Sequence, residues 1–201
     1  PVRAPAGNPV VCDATARAIS DDRGDVLTYG SGKPPAPVRK LTPALAGIDV
    51  ILASVQLDGS TVCASVVFAR APEGDFSVRL SFVDTTTFAC CASLRFQRTT
   101  GRLEVGRETL TSHGTRLLEP VEDGGAALDG STLRITGTLP DDAWDQADGP
   151  AIDDIAWSLT TNRATTKYGP YFGDWVPRHE PVGQPFVRHR DGTIVPLGPR
   201  R

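Results

Sequence analysis

The chain of 201 residues contains no methionine and only three lysines, Lys33, Lys40 and Lys167. The other 18 basic residues are arginine, and Ala, Gly, Val and Pro abound, as expected of a GC-rich bacterial source. No run of about 18 apolar residues occurs, so no helix is expected to span a membrane. Neither sign of charge dominates: 21 basic and 24 acidic residues leave a net charge of −3. That balance removes the electrostatic reason to expect nucleic acid or an anionic membrane as partner. The four cysteines show no Cys-x-x-Cys spacing, which argues against structural zinc. No Gly-x-Ser-x-Gly occurs, and the adjacent Ser112 and His113 do not make a triad. Long segments of 3.6-residue periodicity are missing as well, so long amphipathic helices are not expected.

What is present is alternation with period two. The pattern predicts strands over Asp49–Leu57, Thr61–Ala69, Phe76–Val83, Thr86–Arg98, Arg102–Leu110, Thr115–Val121, Thr132–Leu139 and Ile152–Thr160. Asp58-Gly59 and Glu73-Gly74 read as turns, because Asp and Gly tolerate positive φ, and the first four strands are expected to form a meander of consecutive hairpins. Thr28–Pro43 carries too much Pro and Gly for a central strand and is expected to be a long loop. Pro140–Trp144 suggests one helical turn. Pro185–Leu197 suggests a terminal hairpin around Asp191-Gly192, at a sheet edge or outside the body. Together these features predict an all-β chain: a two-sheet antiparallel β-sandwich with long Pro/Gly-rich loops and a Pro-rich C-terminal extension. The expected division is a linker over 1–9, one domain over 10–178 and an extension over 179–201.

Position 1 is Pro, so the chain is expected to be a processed or trimmed product, with a signal or anchor upstream as one explanation. An exported chain with an even cysteine count favours disulfides. Four cysteines allow three pairings, and a vicinal Cys90–Cys91 bridge requires a distorted peptide. Alternation places Cys63 and Cys91 on outer faces and Cys90 inward. The favoured set is therefore Cys63–Cys91 with Cys12–Cys90, and free buried thiols are the alternative.

The loop Asp21-Asp22-Arg23-Gly24-Asp25 is the first candidate site. Calcium takes six to eight oxygen ligands, and carboxylates spaced along a tight turn can converge on one ion. Asp22 and Asp25 are the leading ligands, with Asp21 and the more distant Asp49 completing the set. The competing reading is a solvated turn whose aspartates cap backbone N–H groups. No Glu stands at the twelfth position, so the loop is not an EF-hand. A second acidic group comprises Asp141, Asp142, Asp145, Asp148, Asp153 and Asp154. Paired carboxylates can hydrolyse glycosides or hold a second cation, but solvated loop charge is the plainer reading. The aromatics gather late. Trp157 alternates with Ile155 and Leu159 and belongs in the core. Tyr171 and Trp175, in a Gly/Pro-broken stretch, are candidate platforms for a sugar face, or else a cover for the end of the sandwich.

The Asp-rich loop, then Gly47-Ile48-Asp49-Val50-Ile51-Leu52 and Leu57-Asp58-Gly59-Ser60-Thr61, and finally Asp148-Gly149 with Ile152-Asp153-Asp154-Ile155, resemble family-9 carbohydrate-binding-module-like (DOMON-like) secreted bacterial β-sandwiches. The resemblance covers about residues 18–161. It implies the same aspartates as cation ligands and a role in binding or structure. Haem-binding members of this group use a methionine ligand, which this chain lacks, so no haem is expected. The expected function is a non-catalytic, secreted or cell-surface module, calcium-stabilised, for a glycan or a surface protein. Alternatives are a structural subunit of an extracellular assembly making contacts through its Pro-rich termini, and a hydrolase using the late aspartates.

Overall fold

The structure, a computed structural model, describes residues 18–30, 33–58, 60–84, 90–99, 102–110, 116–121, 124–139, 155–164, 171–176, 186–189 and 194–196. They form an all-β sandwich of two antiparallel sheets with one short helix. The first sheet contains β1 (Ile19–Ser20), β4 (Val50–Asp58), β5 (Thr61–Phe68), β10 (Gly125–Asp129) and β11 (Thr132–Thr138), in the order β1-β4-β5-β11-β10. The second contains β2 (Leu27–Gly30), β3 (Lys33–Pro37), β6 (Phe76–Asp84), β7 (Cys90–Thr99), β8 (Arg102–Leu110), β9 (Arg116–Pro120), β12 (Ile155–Ala164) and β13 (Tyr171–Gly173). Its order is β3-β2-β13-β12-β6-β7-β8-β9. Three further strands, β14 (Trp175–Val176), β15 (Phe186–His189) and β16 (Ile194–Pro196), join it on the β12 side.

Alternating apolar residues supply the core from both sheets. Val62, Val66, Phe68, Leu133 and Ile135 on the first sheet are buried against Val78, Leu80, Phe82, Leu94 and Phe96 on the second. Burying a large apolar side chain stabilises by roughly 1.5–3 kcal/mol, so these faces set which side of each strand turns inward. Phe68 and Phe76 meet edge-on across the two sheets at 5.7 Å, and Phe96 continues the stack at 5.5 Å from Phe76. The sheets approach closely at Gly137, where a Cβ would lie 3.3 Å from Leu94 Cδ1.

Two expectations are corrected by the topology. The turn through Glu73-Gly74 does not close a hairpin: β5 lies in the first sheet and β6 in the second, so the chain crosses the sandwich there. The meander is β6-β7-β8-β9, while β4 and β5 form their own hairpin. Secondly, Thr28–Pro43 is not a loop. Leu27–Gly30 pairs with Lys33–Pro37, and Pro43–Ala46 forms the helix α1. The prolines are tolerated because β3 is the outermost strand of its sheet, where missing N–H groups break no ladder. Thr42 caps α1 by accepting from Leu45 N–H, and Pro43 opens it.

The last strands run along β12. On one side β12 pairs with β6 from Ile155 to Asn162. On the other side its partners change in succession: β13 at Arg163–Ala164, β14 at Leu159–Thr160 and β15 at Ala156–Trp157. β15 pairs in turn with β16. Short late segments therefore cover an edge that would otherwise offer open hydrogen-bonding groups.

Candidate functional site: an aspartate junction between the sheets

The site begins with an irregularity in β4. Val50 pairs with Phe68 but Leu52 with Val67, so Ile51 is an extra residue. The bulge lets both Val50 and Ala53 turn inward, three positions apart, and both are fully buried. It also leaves ladder groups available for other partners. Asp21 N–H donates to the Ile51 carbonyl at 3.1 Å, and Val50 N–H donates to Asp174 Oδ2 at 2.6 Å. Here β4 of the first sheet is tied to the junction of β13 and β14 in the second.

Asp174 is held from several directions. Its N–H donates to Thr161 Oγ1 at 2.9 Å, and its carbonyl accepts from Thr161 N–H at 2.9 Å. The Thr161 hydroxyl donates onward to the Ile48 carbonyl at 2.7 Å. Thr161 and Asp174 are both 1% exposed. This chain of bonds stitches β12 to the start of β4 through the interior.

The Asp-rich loop closes over the same point. Gly24 has φ of +92°, a conformation that only glycine adopts readily. This bend brings Gly24 N–H to the Asp49 carboxylate, 3.0 Å from each oxygen. Asp49 is fully buried, and the backbone N–H of Asp25 also supports it. Burial raises the Asp49 carboxyl above its ordinary value, against the lowering influence of Gly24 N–H, the Arg23 charge and Asp25 N–H.

Of the residues expected as cation ligands, Asp21 and Asp25 come together, joined by Asp174. A carboxylate oxygen from each of the three lies within 4.8 Å of the others. Asp22 is exposed on the loop and stands outside this group. Asp49 instead holds the loop by accepting backbone N–H groups, the capping role weighed against metal ligation. Asp174 was invisible in the sequence. It sits about 150 residues away in a Gly/Pro-rich stretch, and its only local mark is its place before Trp175. Burial pushes its carboxyl up to about 9, and the charges of Asp25, Asp21 and Asp49 add to the rise against the opposing Val50 N–H. At neutral pH the cluster therefore calls for positive charge, either a proton on Asp174 or a cation among its oxygens. The donors are all hard carboxylate oxygens, which suit calcium in kind.

Other candidate residues fall elsewhere. Tyr171 and Trp175 are strand residues, not loop residues: Tyr171 pairs with Tyr29 and Ala164, and Trp175 with Thr160. Tyr171 is half-buried. Trp157 is buried at 5% exposure. Cys63 is buried and disulfide-bonded, and its partner lies outside the described side chains. At Cys90 and Cys91 the register shifts, with Phe82 opposite Ala92 but Val83 opposite Cys90. The parity used to separate these two cysteines does not carry across such a bulge. Cys12, His113, His179, Ser112 and the acidic group Asp141 to Asp154 lie outside the described residues. Comparison with protein-family models, curated proteins and solved structures returns no match.

Proposed function

We propose that this chain is a non-catalytic binding module, secreted or displayed at a bacterial surface, whose sheet junction is stabilised by calcium and whose ligand is a glycan. The observation carrying the cation half is the meeting of Asp21, Asp25 and Asp174, with Asp174 fully enclosed. Three carboxylates cannot all stay ionised at that spacing without compensation, because burial and mutual repulsion both favour the neutral form. A cation bound there fastens the Asp-rich loop and β4 to the β13–β14 junction. In this reading the cation adds rigidity and takes no part in chemistry. The binding half rests on the sandwich architecture and on polar outward side chains of its second sheet, Ser81, Gln97 and Thr160 among the described residues.

The test of the cation half is thermal melting with calcium and with chelator, on the wild type and on Asp174→Asn. Calcium is expected to raise the melting temperature of the wild type alone, and an unchanged wild type refutes the site. The test of the binding half is a panel of soluble glycans followed by Trp fluorescence and affinity electrophoresis. Silence across the panel refutes it.

A further inference from the structure

The outer face of the first sheet holds an enclosed half-cystine. The inward residues of β5 are Val62, Ala64, Val66 and Phe68, all buried in the core. Cys63 has the opposite parity and faces outward with Thr61, Ser65 and Val67. Those three are only partly buried, whereas Cys63 is 7% exposed. Register places Gln56 of β4 on one side of it and Thr136 of β11 on the other. Cys63 is also disulfide-bonded. An outward residue in the middle of a sheet, bonded and more enclosed than its neighbours on the same face, is covered by the segment that carries its partner.

The chain offers three other cysteines, Cys12, Cys90 and Cys91. Cys90 and Cys91 belong to β7, in the second sheet. β7 runs on the far side of the core: Gly137, paired with Val62, lies against Leu94, whose Cδ1 would be 3.3 Å from an added Cβ. Packed sheets stand about 10 Å apart, while the Cα atoms of a disulfide lie within about 7 Å of each other. Cys63 points away from that gap, so a bond to either β7 cysteine would have to pass its own strand and cross the core. Cys12 is left, and the route to it is short. β1 runs antiparallel to β4, with Ser20 opposite Leu52 and Ile19 opposite Ala53. The chain preceding Ile19 is thus directed toward Gln56, the neighbour of Cys63. Strand rise and spacing put Ile19 about 14 Å from Cys63, and an extended chain from Cys12 to Ile19 reaches roughly 24 Å.

We propose that Cys12 is bonded to Cys63 and that this bond docks the N-terminal segment on the outer face of the first sheet. The proposal goes beyond the binding-module reading and does not rest on it. β1 is an edge strand of only 2 residues, and the bond ties the chain ahead of it to β5 at the centre of the sheet. β1 leads directly into the Asp21–Asp25 loop, so the clamp also fixes one flank of that loop. Closing the long loop from Cys12 to Cys63 restricts the unfolded chain. The pairing of Cys63 with Cys91 expected from alternation is set aside, because shared outward parity brings two cysteines together only within one sheet.

The test is a tryptic map of the oxidised wild type, alkylated without reductant and taken from the monomeric fraction. Trypsin separates the candidates: Cys12 falls in Ala4–Arg17, Cys63 in Leu41–Arg70, and Cys90 with Cys91 in Leu80–Arg95. A linked pair of Ala4–Arg17 and Leu41–Arg70 is expected, split by reductant, with Leu80–Arg95 joined to neither. Linkage of Leu41–Arg70 to Leu80–Arg95, or an alkylated Cys63, overturns the bond. The docking role is read by melting the wild type and Cys12→Ala/Cys63→Ala. The variant is expected to melt at least roughly 5 °C lower. An unchanged melting temperature overturns the clamp even where the bond is found.

Discussion

The sheet junction gathers aspartates, whereas the outer face of the second sheet gathers arginines. At the junction the like charges come from segments about 150 residues apart and are enclosed by the two sheets. On the outer face Arg79 of β6 and Arg95 of β7 stand in register on adjacent strands and keep part of their surface in water. Burial removes screening, so crowding at the junction changes protonation and hence stability, as the carboxyl of Asp174 near 9 records. Half-exposed charges repel less because water screens them. Clustering of like charge thus weighs on stability and its pH dependence more at the junction than on the outer face.

This contrast can be broken in several ways. Thr161→Val tests it most severely. The change removes the hydroxyl that bonds Ile48 and Asp174, leaving two buried backbone groups without it, at about 2–4 kcal/mol by urea unfolding. Arg95→Gln is expected within about 0.5 kcal/mol of the wild type, as for surface substitutions generally. A cost for Arg95→Gln equal to that of Thr161→Val would erase the distinction.

Next comes Asp174→Asn, which keeps an acceptor for Val50 N–H and removes the charge. In chelator at pH 8 it is expected to stabilise by about 1 kcal/mol or more, since one pKa unit is worth about 1.4 kcal/mol. Destabilisation of similar size would mean that the ionised carboxylate is an asset even without a cation.

The pH response follows with a definite sign. The folded-state carboxyls of Asp174 and Asp49 are both raised above 3.8. The folded protein therefore holds protons that the unfolded chain has released. Their contribution is fully present below about pH 4 and is lost as pH rises toward the folded-state value near 9 of Asp174. In chelator, stability followed by urea midpoint should fall between pH 5 and pH 8, and calcium should flatten that fall. A rise over the same interval would contradict the assignment.

The smallest effect is that of calcium itself. With a dissociation constant of 10⁻⁴–10⁻³ M, ordinary for extracellular calcium modules, millimolar calcium gives roughly 0.4–1.4 kcal/mol. Asp22→Asn should leave this increment unchanged, and loss of it would return Asp22 to the ligand set.

The strands were legible because each buries one face. Arg102–Leu110 emerges with the expected limits, and Phe76–Asp84 and Thr132–Thr138 differ by one residue at one end. The Leu27–Gly30 and Lys33–Pro37 pair was not, because its proline content masks a strand that edge position permits. The crossing at Glu73-Gly74 was also hidden, since a turn signal states that the chain reverses and not which sheet receives it. At the candidate site the loop and Asp49 were visible through their carboxylates and Gly24. Their division of labour was not: capping Gly24 N–H falls to Asp49, and the partner of Asp21 and Asp25 is Asp174.

The sequence by itself determined the all-β class and the inward faces of the strands, because side-chain direction has period two and burial selects one parity. Only the tertiary structure decided how the strands divide between two sheets and that β13 and β14 deliver Asp174 to β4. The physical reason is one of range. Alternation is imposed residue by residue along a strand, while the junction depends on a bulge at Ile51 freeing backbone groups for distant partners, and local pattern carries no record of that pairing.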